Sequence, residues 1–388
     1  MATKCGLSLP FLFVFFCMVV LQVLLKCCSS AAVMSDNSVP PPPPPPAVYV
    51  FGDSLFDAGT NNYLENADVR VKADFLFYGI DFPRSLPTGR FSNGFNLADQ
   101  IVKKMGLRRS PPPFLSLVAG GMFSPNFNRT IIKGVNFASA GSGIFDSTGS
   151  KFIVVPLNTQ IQQFSTVVEN LTCLLGQMPA AAHLAESVFL ISAGSNDIFD
   201  YMKNASTGGI SFINVSAKAL VASMISQYGL QLQGLYRRGA RKFGIVGVPT
   251  VGCCPFLRSF NVTGSCNDGA NLLAQAFMEG LKTVAQQIRT VAPDVQFSLA
   301  NAFNLSFDFI QNPNALKLQG FKDVAGSCCG NATVPCSPNA TVCENRDESL
   351  FWDGFHPTQF AAKLSAKAFF GDNSRYVSPV SFSQLFWN

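Results

Sequence analysis

Five short runs of Val, Ile, Leu and Phe constrain this chain more than any other feature. They lie at residues 47–51, 135–138, 188–192, 242–248 and 295–299. Several are continuously apolar rather than alternating, the pattern of strands buried on both faces of a parallel sheet. Helix-like stretches separate them. One at 96–105 is short and amphipathic, with Leu97, Ile101 and Val102 on one side; longer ones span 160–175, 215–238, 267–291 and 358–370. Gly239, after Arg237-Arg238, reads as a helix stop with favourable charge at the helix C-terminus. Strands alternating with helices predict an α/β layer fold with right-handed crossovers. Sites in open sheets of this kind form outside the carboxyl ends of the strands. Three polar clusters fall at such positions: Ser54 after the first run, Gly141 after the second, and Gly194-Ser195-Asn196-Asp197 after the third.

The chain ahead of the first run reads as a leader and a spacer. Lys4 supplies a positive start, residues 11–25 an apolar segment, and Ser29, Ser30, Ala31 and Ala32 a small-residue cleavage region, so residues 1–32 are expected to be a signal peptide. The uncharged stretch 5–25 is also just long enough for an uncleaved signal anchor. Pro10 and Gln22 weaken that alternative. Seven prolines, Pro40 to Pro46, form a stiff polyproline II spacer, giving a linker at 33–46 and one folded domain at 47–388.

Two features agree with a secretory route. Asn-x-Ser/Thr acceptors stand at Asn128, Asn170, Asn204, Asn214, Asn261, Asn304, Asn331 and Asn339. Outside the leader the cysteines number eight, an even set suited to disulfides: Cys173, Cys253, Cys254, Cys266, Cys328, Cys329, Cys336 and Cys343. No C-x-x-C spacing supports zinc, and short-range bridges such as Cys253 or Cys254 to Cys266 fit better. The expected location is secreted, extracellular or cell wall, or the Golgi lumen if an anchor is retained. A membrane is a partner only in that anchored form.

Charge excludes another class. Without Lys4 and Lys26 there are 26 basic and 23 acidic residues, with no long basic run, so no nucleic-acid partner is expected. With 37 Phe and only 13% charged residues, the chain implies a large core or an unusually apolar surface.

The chain has two histidines. His183, in Ala180-Ala181-Ala182-His183-Leu184, has no acid motif around it and reads as an ordinary helix or loop histidine. His356 follows Asp353 by three residues in Phe351-Trp352-Asp353-Gly354-Phe355-His356-Pro357. A serine hydrolase needs one imidazole as general base and one carboxylate to hold its tautomer. Ser54, in Val50-Phe51-Gly52-Asp53-Ser54, supplies a serine just after a strand. The order Ser first and Asp-x-x-His last predicts an ester hydrolase built on Ser54, His356 and Asp353. No Gly-x-Ser-x-Gly occurs, against the α/β-hydrolase pattern. No metal and no cofactor are expected. Asp53 reads as structural, capping or bonding neighbouring backbone, Asp197 as turn-stabilising, and Phe75-Leu76-Phe77-Tyr78 as packing in preference to an acyl pocket.

These residues form a pattern. Phe51-Gly52-Asp53-Ser54-Leu55-x-Asp57-x-Gly59, Gly134-Val135-Asn136-Phe137-Ala138-Ser139-Ala140-Gly141-Ser142-Gly143, Ala193-Gly194-Ser195-Asn196-Asp197 and Asp353-x-x-His356-Pro357 resemble the four blocks of the GDSL, or SGNH, hydrolases. Thr88-Gly89-Arg90-Phe91-Ser92-Asn93-Gly94 and Gly247-Val248-Pro249-x-x-Gly252-Cys253 resemble the plant GDSL esterase/lipases in particular. The resemblance implies a three-layer α/β/α sandwich on a flavodoxin-like, mostly parallel five-stranded sheet. It implies Ser54 as nucleophile, His356 as base and Asp353 as its carboxylate. It also implies an oxyanion hole made by the backbone N–H groups of Ser54 and Gly141 and the Asn196 amide. Two positions depart from it: Gly59 is followed by Thr60 where the plant branch has Asn, and Gly354 stands between Asp353 and His356. The expected activity is hydrolysis of lipid or small acyl esters through an acyl-enzyme. Alternatives are an O-acetyl esterase acting on polysaccharide such as acetylated xylan, an acyltransferase with the same acyl-enzyme, and a catalytically silent secreted binding glycoprotein.

Overall fold

The computed structural model describes residues 46–121, 125–206, 216–311, 320–331 and 336–387. The expected leader, the linker up to residue 45 and the acceptor Asn214 lie outside the described residues.

The five predicted strands form at or beside their expected positions: β1 (Val48–Gly52), β2 (Gly134–Asn136), β3 (Val188–Ser192), β4 (Lys242–Val246) and β5 (Gln296–Ala300). They pair in parallel in the order β2-β1-β3-β4-β5, the flavodoxin-like arrangement. Two short strands, β6 (Asp323–Ser327) and β7 (Ser349–Phe351), make a separate parallel ribbon, and β8 (Val377–Pro379) runs antiparallel along β5. Among the described residues the main sheet therefore has six strands rather than five. β8 is three residues long and ends in proline, which suits an edge strand and gives no periodic signal.

Every residue of β1 and β3 is buried, which explains why those runs are apolar without alternation. On one face, the helices Leu157–Leu175, Ala217–Arg237 and Asp268–Val291 pack side by side. Phe164 of the first is fully buried and sets its ring edge-on to Phe51, Phe137 and Phe189. Burial of such a side chain contributes roughly 1.5–3 kcal/mol. On the other face the Leu97–Lys104 helix packs against Gln359–Phe370, which in turn meets Phe382–Trp387. Local chemistry sets the helix ends. Asn96 and Asp99 form a reciprocal capping box. Asn267 and Thr358 cap their helices through side-chain oxygens. Gly239 closes the Ala217–Arg237 helix as expected, with its N–H on Tyr236 O and that of Ala240 on Leu235 O.

The connection from β1 to β2 carries the Leu97–Lys104 helix on one face, and the connection from β2 to β3 carries Leu157–Leu175 on the other. This reversal opens a crevice at the carboxyl end of β1. Among the described residues no helix is long and apolar enough to cross a membrane.

Candidate active site

Gly52 ends β1 with a φ of 129°, and a Cβ there would lie 1.9 Å from Ser192 O. Only glycine allows the chain to turn this close to β3. The turn is pinned on several sides. Gln160 accepts from Gly52 N–H at 2.8 Å and donates to Gly52 O at 2.9 Å, while Ser142 Oγ donates to the same carbonyl. Ser54 emerges from this turn and lines a cavity of about 510 Å³.

The histidine arrives from a different element. After β7, Trp352 N–H donates to His356 O at 2.7 Å and closes a tight turn. Within it Asp353 Oδ1 accepts from the N–H groups of Phe355 and His356 at 2.8 and 2.9 Å. His356 Nδ1 lies 2.8 Å from Asp353 Oδ1, and Nε2 lies 2.7 Å from Ser54 Oγ. A carboxylate only accepts, so Nδ1 carries the proton and Nε2 is left to accept from the serine hydroxyl. Burial pushes the Asp353 carboxyl up, but the His356 charge, its hydrogen bond and the two backbone N–H groups outweigh this and hold it below the usual carboxylate range. The acid is thus ionised beside the ring, as an imidazolium-stabilising partner must be.

The three expected oxyanion donors come to the same cavity: Ser54 after β1, Gly141 after β2, and Asn196 at the start of the Ser195–Ser206 helix. Asn196 spends one amide hydrogen on Ser142 O at 2.8 Å, which fixes its side chain against the Gly141 loop. Glycine at 141 is a structural requirement. Its φ is 82°, and a Cβ would press on Val71 Cγ1 at 2.9 Å, so backbone shape and neighbouring packing require it.

The loops are tied by buried carboxylates. Asp57 accepts from Gly59, Thr60 and Ala140 N–H, and Asp197 from Ile144 and Phe145 N–H and the Thr148 hydroxyl. Asp197 is the turn-holding group expected of it. Thr60, the departure from the plant pattern, contributes its backbone N–H to this network, a role that does not depend on an asparagine side chain. Asn61 reaches across to Val71 O and Ala140 O. Burial pushes the Asp53 carboxyl up to about 7; its Oδ1 accepts from Leu55 N–H, and its buried Oδ2 has no partner among the described residues.

Several cavity residues carry no mark of that role in the sequence. Tyr78 belongs to the aromatic run read as packing, yet its hydroxyl donates to Asp353 Oδ2 at 2.8 Å across 275 residues. Phe91 sets its ring 4.7 Å from that of His356. Phe199, Phe256 and Phe355 form an aromatic wall on the cavity. No spacing rule links these positions to the serine. His183 sits in the Gln177–Glu186 helix, buried, and burial lowers its pKa; it lies apart from the cavity lining.

Among the described residues three disulfides form: Cys253–Cys266, Cys328–Cys343 and Cys329–Cys336. The first is one of the expected short-range bridges. The expectation from the even count does not extend to Cys173 and Cys254, which take no part in these three bridges. Cys254 is buried at the cavity wall, where burial pushes its thiol up to about 12, so it is no reactive thiolate. Among the described residues no cluster of His, Cys, Asp and Glu is arranged to hold a metal ion.

A serine, an imidazole and a carboxylate in hydrogen-bonded series at the carboxyl end of a parallel sheet define the class of serine hydrolases on an α/β scaffold. The family model for the GDSL-like lipase/acylhydrolases matches residues 48–369. The chain belongs to this family and is a hydrolase acting on ester bonds through a serine acyl-enzyme. It is 38% identical over 348 residues to GDSL esterase/lipase At5g55050 of Arabidopsis thaliana, covering 87% of this chain and 89% of that protein. It is 34% identical to GDSL esterase/lipase 6 of the same plant, over 88% of this chain and 91% of the relative.

Proposed function

We propose that Ser54 is the nucleophile of a secretory-pathway esterase whose acyl group occupies the apolar depth of the cavity. In this reading Ser54 Oγ attacks the ester carbonyl as His356 Nε2 takes its proton. The imidazolium is stabilised by Asp353 and then protonates the leaving alcohol. Water, activated by the same ring, releases the acid. The developing oxyanion is met by the N–H groups of Ser54 and Gly141 and by Asn196, each such donor being worth ~10²–10³ in rate.

The observation that carries the reading is the 2.7 Å contact between Ser54 Oγ and His356 Nε2 at the wall of that cavity. The acyl assignment is supported by the deep lining, where Val246, Val251, Leu305, Phe309, Leu350 and Phe369 are all buried. A wall of this kind favours a hydrocarbon chain over a sugar polymer, whose hydroxyls would lose water without recovering hydrogen bonds. The secretory assignment is supported by the three disulfides and by acceptor asparagines Asn128, Asn170, Asn261, Asn304, Asn331 and Asn339, none of them buried.

The test is fluorophosphonate labelling of the full-length protein beside Ser54→Ala, followed by a chain-length series of p-nitrophenyl esters with acetylated xylan in parallel. Labelling confined to the wild type and faster turnover of the longer esters are expected. Retained turnover in Ser54→Ala sinks the mechanism. Preference for acetylated xylan assigns the polysaccharide substrate instead, and a folded protein that neither labels nor turns over is the silent glycoprotein.

A further inference from the structure

We propose that Tyr78 is a positioning residue, whose hydroxyl orients the Asp353 carboxylate and shares its charge while the ring forms part of the active-site wall. The proposal rests on the reading of Ser54, His356 and Asp353 given above. Asp353 is contacted from two directions. Its own turn satisfies Oδ1 through Phe355 N–H, His356 N–H and His356 Nδ1. Oδ2 accepts from the Tyr78 hydroxyl at 2.8 Å, and His356 Nδ1 is close by at 2.9 Å. Without the hydroxyl, the side of the carboxylate away from its turn keeps only this shared contact. Rotation of the carboxylate then costs little, and the ring loses its fixed partner.

Tyr78 is built for a fixed position. It is 4% exposed, and its ring lies edge-on to Phe75 at 5.2 Å and Phe91 at 5.5 Å. Phe91 in turn packs against His356, so one aromatic set holds both members of the pair. Phe77 before it has a φ of 80°, and Gly79 after it has 70° with its N–H on Ser92 O. An aromatic residue with left-handed φ is uncommon, and here it redirects the chain at this point. Burial and the adjacent Asp353 push the phenol well above its ordinary range, so it serves as a neutral donor throughout the working pH range.

The hydroxyl has two consequences for the reaction. It holds the carboxylate in place, and it draws off part of the negative charge that would otherwise bind the imidazolium more tightly. The titratable groups that face the pair are Asp53 toward His356 and the buried Cys254 thiol toward Asp353. Neither donates to Oδ2.

The experiment compares wild type with Tyr78→Phe, which keeps the ring and its packing. Turnover of a p-nitrophenyl ester is measured across about pH 5 to 9, together with fluorophosphonate labelling rates and thermal unfolding. The expected result is a fall in kcat of about tenfold with KM unchanged, from the loss of one charge-assisted hydrogen bond. The acid limb of the kcat/KM profile should move to higher pH, because the uncompensated carboxylate holds the imidazolium more strongly. An unchanged kcat and acid limb, with or without lower thermal stability, overturns the proposal, as does a loss confined to KM. A wild type that labels and depends on Ser54, beside an unaffected Tyr78→Phe, sinks only the role of Tyr78. A wild type whose turnover survives Ser54→Ala sinks the underlying reading and this proposal with it.

Discussion

At the residue scale the least expected group is Asp53, next to the serine. From the sequence it reads as structural, bonding neighbouring backbone, and its Oδ1 does hold Leu55 N–H. Its other oxygen is buried without a partner among the described residues, and burial raises the carboxyl from 3.8 to about 7. The folded protein therefore binds this proton more tightly than the unfolded chain does. The resulting stabilisation is complete below 3.8 and is lost as pH rises to about 7. Asp57, raised to about 6, acts in the same sense. Asp53→Asn keeps the shape and removes this titration. Its melting temperature should fall less than that of the wild type between about pH 4 and about pH 8. Equal falls in the two proteins would mean that Asp53 ionises as readily folded as unfolded.

At the scale of elements, the blocks visible in the sequence are joined by polar groups that sequence alone leaves unconnected. Arg90 is an example. Its guanidinium forms a buried fork on Asp99 at 2.6 and 3.0 Å and also reaches Ala58 O and Thr88 Oγ1. It thereby anchors the segment that carries Phe91 to the Leu97–Lys104 helix and to the loop after Ser54. Asn93 in the same segment accepts from Gln359 N–H, at the start of the helix that follows the histidine. Arg90→Ala leaves Asp99 buried and uncompensated, so the urea midpoint should drop by an amount equivalent to ~3–5 kcal/mol. An unchanged midpoint would show the pair to be dispensable. The disulfides act at this scale too. Cys328 and Cys329 N–H groups bond Phe351 O and Trp352 O, so the segment crosslinked by Cys328–Cys343 and Cys329–Cys336 braces the strand that delivers Asp353.

For the whole molecule, the cavity is a product of layers meeting. Its deep wall takes Val246 from the end of β4, Ala302 and Leu305 from the helix after β5, and Phe369 from the Gln359–Phe370 helix. No one of these elements outlines it. If the acyl chain lies there, Ala302→Leu should shorten the space. The ratio of long-chain to acetyl ester turnover should then drop by about tenfold, a change of ~1.4 kcal/mol in discrimination. Parallel losses on both esters would place the acyl group elsewhere.

Much of this was legible in the chain. Buried parallel strands read as continuous apolar runs because both faces are covered, and the helix stop at Gly239 reads from the chain because capping is local. Ser54, Gly141, Asn196 and the Asp353–His356 pair stood out because each follows a strand or lies within one turn. The tertiary structure alone decided the rest. It placed β8 at the sheet edge, a position fixed by its neighbour and not by periodicity. It set the phenol of Tyr78 against Asp353 and Asn93 against Gln359 N–H, and among the described residues it left one oxygen of Asp53 without a partner. Contacts within a turn are encoded by adjacent residues. Contacts between residues hundreds of positions apart exist only once the sheet has stacked its strands and brought their ends together.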